Sequence, residues 1–326
     1  MAVVGIPAAS AQAQKLTGAG ASFPAPLYQR WSADFRKGEP SVQVNYQSVG
    51  SGAGVKQFMQ GTVDFGASDA AMTDEEMTKV KQGVTLLPAT AGSIVVAYNL
   101  PGVQDLKLSR EALAGIFLGK ITTWNDPLIV RDNPGVELPA LPVNVAKRSD
   151  GSGTTYVFSR HLAAISPEFR EQVGVDKSTD AWPVGVGGKG NEGVTALVKQ
   201  TPGAVGYVEY GFAEHNKLSM AALQNRSGRF VKPTPESGAA TLAGAELPAD
   251  LRVWLDDPEG PEDYPIVTFT WLLLYKEYPD AGKRKALKDF VTYGLTEGQK
   301  VAPELGYIPL PPPVVEKCRA ALESVQ

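Results

Sequence analysis

The sequence contains very few of the residues that form disulfides and metal centres. Its 326 residues include one cysteine, Cys318, and two histidines, His161 and His215. A single cysteine excludes an internal disulfide and a cysteine-based metal site, and two histidines argue against a His-rich metal cluster. We therefore expect neither a metal nor any other cofactor.

Excess positive charge and long hydrophobic runs are also missing. The formal net charge is −4, and no run of Lys or Arg offsets it, which argues against a nucleic-acid partner. No apolar stretch reaches the roughly 18–20 residues that span a bilayer. The apolar segment Val267–Tyr275 is far too short for that and predicts a buried strand.

The N-terminus has the composition of a secretory signal without its basic first part. Residues 3–13 are small and apolar and end in Ala11-Gln-Ala13, which is typical of a cleavage site after Ala13. We predict that residues 1–13 are a signal-peptide remnant and that the protein is periplasmic; a plain N-terminal tail is the alternative. No cysteine lies nearby, so we expect no lipid anchor at this end.

What remains is the composition of an ordinary globular protein, 43% hydrophobic and 20% charged, at a length that favours two domains. Strand patterns alternate with helix patterns, which predicts an α/β fold with largely parallel sheets. The predicted strands are Val42–Val49, Asp64–Ala67, Ser93–Asn99 and Val143–Lys147. The predicted helices are Gly50–Gln60, one beginning near Asp74, Ser109–Leu118 with Ser109 as N-cap, Ser152–Leu162, Val194–Gln200 and Ala286–Tyr293.

Two places suit a crossing of the chain between domains, Asn99–Gly102 and the region of Pro265. They predict a discontinuous domain I, residues 14–98 plus 268–326, and a domain II, residues 99–267. The Pro-rich stretch Pro309–Pro313 precedes a final helix that we expect to pack on domain I.

Three loops share one design. They run from Thr17 to Pro26, from Ser48 to Gly54 and from Arg148 to Thr155, and each places small hydroxyl residues and glycine where a helix begins. Free backbone N–H groups and the positive end of the helix dipole favour an anion there. One such loop is usually a plain helix cap. Three in one chain indicate an oxyanion site.

Arg148 and Asp69 narrow the identity of that anion. The planar guanidinium of Arg148 can bind two oxygens of a tetrahedral anion, and Asp150 can hold that guanidinium in place. The alternative is a surface salt bridge between Arg148 and Asp150. A carboxylate such as Asp69 repels an anion unless the ligand brings a proton for it to accept. Phosphate carries one near neutral pH and sulfate has none. The alternative for Asp69 is a cap on the following helix.

Five segments of the chain resemble the phosphate-binding proteins of bacterial phosphate ABC transporters, and the resemblance spans nearly the whole chain. They are Leu16–Pro26, Val44–Asp69, Arg148–Phe158, Gly185–Gly193 and Gly203–Tyr210. The resemblance implies a two-lobed class II periplasmic binding fold, two α/β domains joined by two crossing strands. It also implies which residues bind phosphate: Ser22, Phe23, Ser51, Asp69, Arg148, Ser152, Gly153 and Thr154. We expect a monomeric, non-enzymatic binder that delivers phosphate to the membrane permease subunits of an ABC importer.

Several rival functions stay open. A phosphate sensor or scavenger that is not coupled to transport fits the same residues, and a sulfate or molybdate binder fits all but Asp69. The segment Gly185–Gly190 fits G-x-G-x-x-G, but no convincing strand precedes it. Gly66-Ala-Ser68-Asp-Ala70 nearly forms a hydrolase nucleophile elbow, with His161 and His215 as the available bases, which leaves a phosphate-ester hydrolase as a remote alternative.

Overall fold

The computed structural model describes residues 13–326. The predicted signal remnant at residues 1–13 therefore lies outside the described residues, apart from Ala13. Within residues 13–326, no helix has both the length and the apolar character needed to cross a membrane.

Twelve strands are described in this part of the chain. In chain order they are β1 Gln14–Gly20, β2 Val42–Ser48, β3 Phe65–Ser68, β4 Val84–Tyr98, β5 Lys107–Leu108, β6 Asn144–Arg148, β7 Val186–Gly188, β8 Ala204–Glu209, β9 Ser219–Met220, β10 Ala222–Gln224, β11 Phe230–Val231 and β12 Val267–Tyr275.

The helices of residues 13–326 lie between and after these strands. They are α1 Ala25–Gly38, α2 Ser51–Met59, α3 Asp74–Thr78, α4 Arg110–Phe117, α5 Pro127–Asp132, α6 Gly153–Ile165, α7 Pro167–Gln172, α8 Gly190–Gln200, α9 Tyr210–His215, α10 Pro235–Ala243, α11 Ala281–Leu295, α12 Glu297–Val301 and α13 Pro312–Glu323, with a 3-10 turn at Pro303–Leu305.

One large sheet runs through the molecule in the strand order β2-β1-β3-β12-β4-β8-β6-β7, with β9 also paired to β4. A small sheet, β11-β10-β5, lies beside it. The pairs β1–β2, β1–β3, β6–β8 and β6–β7 are parallel, as the strand–helix alternation predicts. The expectation of largely parallel sheets was wrong for the centre of the sheet, where β12 pairs antiparallel with β3 and β4, and β4 with β8. The β4–β12 pair is antiparallel because β4 runs from one half of the molecule to the other and β12 brings the chain back beside it.

The strand β4 belongs to both halves of the molecule. Its residues Val84–Ser93 pair with β12, and Ile94–Tyr98 pair with β8. The Ile94 N–H also donates to the Ile266 carbonyl at 2.8 Å, so the outgoing and returning crossings lie side by side. From these pairings we call residues 13–93 and 267–326 the first lobe and residues 94–266 the second lobe. The predicted domain limits at 98/99 and 267/268 remain a prediction.

Most predicted elements agree with the structure within a few residues, and three differ in extent. The helix predicted at Ala286–Tyr293 is α11, which begins at Ala281 and ends at Leu295. The strand predicted at Ser93–Asn99 is the second half of β4, which begins at Val84. The helix α8 begins at Gly190 rather than Val194. The first half of β4 contains Pro88, which has no N–H for the ladder, and the pairing with β12 is irregular opposite this point.

Each lobe has its own aromatic core. In the first lobe Phe58 stacks on Tyr275 with ring centroids 4.2 Å apart, and all nine residues of β12 are buried, as its apolar sequence predicts. In the second lobe Phe158 stacks on Tyr207 at 4.4 Å. Cys318, on the final helix α13, is buried and donates to the Pro88 carbonyl of the first lobe. The Tyr207 ring belongs to this second-lobe core, and its hydroxyl accepts from the Arg148 N–H.

Candidate functional site

The first lobe brings three predicted residues to one edge of its sheet. In the ladders of β1 with its two parallel neighbours, Gly20 lies opposite Ser48 of β2 and Ala67 of β3. The three strands therefore end at the same level, and the segments that follow them meet there. In open α/β sheets, ligands bind beyond the carboxyl ends of the strands. These segments carry Ser22, Ser51 and Asp69.

The second lobe supplies the rest from a single strand–loop–helix unit. β6 ends at Arg148 and α6 begins at Gly153. Ser152 is the N-cap of α6, because its hydroxyl accepts from the Thr155 N–H at 3.0 Å. The first N–H groups of a helix have no partner within it, and the start of α6 lies against Ser51 and Asp69 of the first lobe. All eight predicted residues are buried: Ser22, Phe23, Ser51, Asp69, Arg148, Ser152, Gly153 and Thr154.

The two lobes touch across this site. The Gly52 N–H of the first lobe donates to the Gly151 carbonyl of the second at 2.8 Å. A Cβ on Gly153 would lie 2.5 Å from the Ser51 hydroxyl and 2.7 Å from the Asp69 Cβ, so the close approach of the lobes requires glycine here. The predicted residues of both lobes thus form one cleft.

Arg148 is held by Asp150 through two bonds. Its Nε donates to Oδ1 at 2.8 Å and its Nη2 to Oδ2 at 2.6 Å. Burial tends to raise the pKa of Asp150, but Arg148 and the Gly190 N–H, which donates to the carboxylate, hold that pKa below its ordinary value. Arg148 is 1% exposed, so the surface salt bridge that the sequence left open is excluded. Its outer edge faces Thr154, whose Oγ1 accepts from Nη1 at 3.3 Å.

Asp69 is buried among hydroxyl groups. Its Oδ1 accepts from the Thr270 hydroxyl at 2.8 Å, and its Oδ2 accepts weakly from Thr154 Oγ1 at 3.4 Å. Burial raises the pKa of Asp69 to about 7, although Thr270 and Arg148 both act to lower it. The following helix, α3, is capped by a Thr73–Glu76 capping box, so Asp69 is not its cap.

Ser51 and Phe23 complete the first-lobe side of the cleft. Ser51 is the first residue of α2, and its hydroxyl accepts from the Asp69 N–H at 3.3 Å rather than capping the helix. Phe23 lies just before α1, and its carbonyl accepts from the Tyr307 hydroxyl at 2.6 Å. The Phe23 ring packs against Gly92, where β4 crosses between the lobes.

Four further buried side chains take part in the site, and the sequence analysis missed them. The Tyr207 hydroxyl accepts from the Arg148 N–H at 3.3 Å and forms a hydrogen bond with the Thr155 hydroxyl at 2.7 Å. Thr270 binds Asp69, as described. The remaining two, Asn191 and Glu209, lie beside the second-lobe loops. A polar residue in an apolar strand was an available signal for Thr270, and the G-x-G-x-x-G stretch marked the helix start beside Asn191.

The histidines lie outside this cleft. His161 is buried in α6 with both ring nitrogens unpartnered, and burial lowers its pKa to about 4. His215 bonds the Gly211 carbonyl through Nδ1 at 2.7 Å. Ser68 of the near-elbow donates to the Ala70 carbonyl. Among the hydrogen bonds of residues 13–326, neither histidine is paired with a serine, so the geometry gives no support to the hydrolase alternative.

The arrangement combines many hydrogen-bond donors with one acceptor. Arg148 donates to Thr154, and the hydroxyls of Thr154 and Thr270 donate to Asp69. The hydroxyls of Ser22, Ser51 and Ser152 accept from main-chain N–H groups, so each keeps its own hydrogen to donate. A small anion that retains a proton fits this combination, because a fully deprotonated anion leaves the carboxylate facing a like charge.

The comparisons with known proteins agree with the fold. The chain matches the description "PBP superfamily domain" over residues 7–297, which defines it as a protein of that class. It is 43% identical to a phosphate-binding protein PstS of Xylella fastidiosa, over 94% of this chain and 84% of that one, and 44% identical to a PstS of Pasteurella multocida, over 96% and 91%. The chain belongs to the PstS family of phosphate-binding proteins.

A solved structure confirms the two-lobed α/β fold. The phosphate-binding protein of Stenotrophomonas maltophilia superposes with a TM-score of 0.76 at 22% identity, covering 94% of each chain. At this identity the similarity shows the fold alone, so the role of each side chain in the cleft has to be argued from its own contacts.

Proposed function

We propose that this protein binds inorganic phosphate, without covalent chemistry, in the cleft between its two lobes. The buried carboxylate of Asp69, set among donors from both lobes, is the observation that carries the proposal. It supplies an acceptor for the one feature that separates phosphate from sulfate, the P–OH group. The PstS relatives named above are called phosphate-binding proteins, which supports the same ligand.

The eight buried residues divide into complementary roles. Arg148 supplies charge and, through its outer edge, donors to phosphate oxygens, while Asp150 fixes the plane of the guanidinium. Ser51 and Thr154 add neutral hydroxyl donors. Phe23 and Gly153 bring main-chain N–H groups close to the ligand, at the starts of α1 and α6. Ser22 and Ser152 complete the set of donors.

Capture proceeds by closure of the lobes. Phosphate that docks on one lobe gains the donors of the other when the cleft closes, and closure excludes water. Because the ligand binds the closed form more tightly, it shifts the population toward that form. The crossing strands β4 and β12 are where such a hinge motion is accommodated.

Delivery to a membrane importer completes the proposal. We propose that the protein acts as a monomer in the periplasm and hands phosphate to the permease subunits of an ABC transporter. A sensor or scavenger with the same cleft is the second candidate. Import of phosphate by cells that lack the endogenous gene, restored by this chain, would separate the two.

Titration calorimetry with phosphate and with sulfate tests the ligand. We expect tight binding of phosphate and weak binding of sulfate at pH 8, where Asp69 is ionised. Equal affinities would remove the proposed role of Asp69, and absence of phosphate binding would reject the proposal. An assay for phosphate release from a generic phosphate ester, run on the same protein, distinguishes a binder from a hydrolase.

A further inference from the structure

Asn191 reaches from the second lobe to a hydroxyl of the first. It is the second residue of α8 and is fully buried. Its backbone N–H donates to the Ser22 hydroxyl at 3.0 Å, and its side-chain Nδ2 donates to the same oxygen at 2.9 Å. Nδ2 also lies 3.4 Å from Thr154 Oγ1, as a second and weaker donor.

These contacts determine what the Ser22 hydroxyl does. A serine hydroxyl has two acceptor lone pairs and one hydrogen to donate. Asn191 fills both lone pairs, so the remaining function of the hydroxyl is to donate. The hydroxyl is thereby committed as a donor, which is the role that an anion requires.

We propose that Asn191 is a positioning residue that commits Ser22 to donate to phosphate, and does so only when the lobes are closed. The inference rests on the proposed function. Ser22 belongs to the first lobe and Asn191 to the second, so the two contacts form on closure and are lost on opening. The donor strength of the cleft is therefore coupled to its conformation.

The orientation of the Asn191 amide is fixed by its other end. Its Oδ1 accepts from the Glu209 N–H at 2.9 Å, which leaves Nδ2 to face the cleft. Glu209 is itself buried, with Oε2 accepting from the Gly211 N–H at 3.0 Å at the start of α9. This chain of bonds belongs entirely to the second lobe and holds Nδ2 ready before Ser22 arrives.

Thr154, which belongs to the second lobe like Asn191, is committed to donate by the same kind of contact. Its Oγ1 accepts from Arg148 Nη1 and, weakly, from Asn191 Nδ2, so its own hydrogen can only be donated. Here that hydrogen is directed at Asp69 Oδ2 over a long 3.4 Å contact, which a phosphate oxygen would replace. One amide thus acts on a hydroxyl of each lobe. With both hydroxyls committed as donors, Asp69 is left to receive the proton of the ligand, and the anion is oriented by its single P–OH.

A double-mutant cycle tests the inference. We expect Asn191→Ala to weaken phosphate binding about ten- to a hundredfold, mainly through faster dissociation, because the contact exists in the closed state. In the Ser22→Ala background the same replacement should cost at least about fivefold less, since its target is gone. Calorimetry gives the affinities and stopped-flow fluorescence gives the rates.

Asn191→Asp is the second variant and keeps the cycle usable if the alanine variant does not fold. It preserves the shape and the Oδ1 acceptor for Glu209, but its other oxygen accepts from Ser22 instead of donating. We expect a larger loss of affinity than for alanine, again reduced when Ser22 is absent. Wild-type affinity in this variant would overturn the inference.

Asn225→Ala is the matched control. Asn225 is a fully buried asparagine of the second lobe whose Nδ2 bonds the carbonyls of Gly260, Pro261 and Asp263, away from the cleft. It should lower the unfolding midpoint and leave phosphate affinity within about twofold. If the effect of Asn191→Ala is the same with and without Ser22, the residue is merely structural and the inference fails. If the wild type does not bind phosphate, the proposed function fails and the inference with it.

Discussion

At the scale of single residues, the unusual feature is Asp69, a carboxylate whose burial destabilises its ionised form. Asp69 is 1% exposed, and its pKa of about 7 means that burial outweighs the hydrogen bond from Thr270 and the charge of Arg148. In a purely structural role a protonatable group in this position would be a weakness. In an anion site it is a selective device, because its protonation state decides which ligands it tolerates.

This gives a pH dependence for sulfate. Below pH 7 Asp69 is protonated and donates, so sulfate is accepted; above pH 7 it is ionised and repels sulfate. Sulfate affinity should therefore rise about tenfold for each unit as the pH falls toward 7 and level off below it. Calorimetry with sulfate between pH 9 and pH 5 measures this, and sulfate itself does not titrate in that range.

Asp69→Asn is the control for the sulfate profile. The amide has no charge to lose, so its sulfate affinity should be nearly independent of pH and higher than that of the wild type at pH 8. A wild-type profile that stays flat, or one that is unchanged in the variant, would assign the selectivity to another group.

Arg148 gives the second prediction at this scale. Replacing it by alanine removes the buried positive charge and leaves Asp150 without its partner, so phosphate binding should weaken by about 2–5 kcal/mol. Arg170→Ala is the control, because Arg170 bonds the Ala163 carbonyl in the same lobe, outside the cleft. A calorimetric loss below about 0.5 kcal/mol for Arg148→Ala would place it outside the site.

At the scale of elements, β12 carries both the hinge and a site residue. In its antiparallel ladder with β3, Trp271 lies opposite Ser68, so the next pair outward is Thr270 and Asp69. The hydroxyl of Thr270 reaches Asp69 because of this register. A strand that connects the lobes therefore also sets the orientation of the acceptor.

Thr270→Val tests that link. Losing the hydroxyl removes a bond that lowers the pKa of Asp69, so that pKa should rise further and the midpoint of the sulfate profile should move to higher pH. Phosphate affinity should fall severalfold, by about 1 kcal/mol. Thr270→Ser should restore both, and Thr268→Val, two residues earlier on the same strand, serves as the matched control.

The elements that the sequence predicts well are those with a local signal. β12 is predominantly apolar, and the cap of α4 at Ser109 is confirmed by its bond to the Ala112 N–H. The first half of β4 was missed because Pro88 and small residues hide a strand whose pairing partner lies some 180 residues away along the chain. Its strand character comes from that distant partner, which no local window contains.

The site divides in the same way. Loops that begin helices, such as the one at Ser152, carry a local pattern and were predictable as an anion site. Thr270 and Asn191 contact the site through a distant register and through the meeting of two lobes. Neither relation is encoded in the residues next to them. The family resemblance extended to the eight proposed contacts but not to the side chains that orient them.

At the scale of the whole molecule, residues 250–257 join the two lobes outside the crossing strands; we call this segment the strap. Arg252 bonds the Met72 carbonyl at 3.0 Å and Asp74 at 2.7 Å, both in the first lobe. At the other end Asp257 holds Arg110 of the second lobe through two bonds, of 2.6 and 2.7 Å. The strap therefore favours the closed arrangement.

Arg252→Ala should shift the balance toward the open form. Because the Asp74 side chain is 81% exposed, its ion pair with Arg252 is screened by water, and the expected effect is small, about a two- to fivefold loss of phosphate affinity. Small-angle scattering should show a larger radius of gyration without phosphate and the wild-type value at saturation. Arg226→Ala, which removes an exposed ion pair with Glu259, is the control. An unchanged affinity and radius would mean that the strap does not bias closure.

The place of β12 between β3 and β4 also dictates an order of assembly during synthesis. The second lobe is one continuous stretch, residues 94–266, so all of its strands are synthesised before β12. The first lobe lacks a central, wholly buried strand until residue 275 has emerged. The early part of the first lobe therefore stays without its central strand while the ribosome adds more than half of the chain. During that interval a chaperone or a membrane channel can hold the polypeptide unfolded.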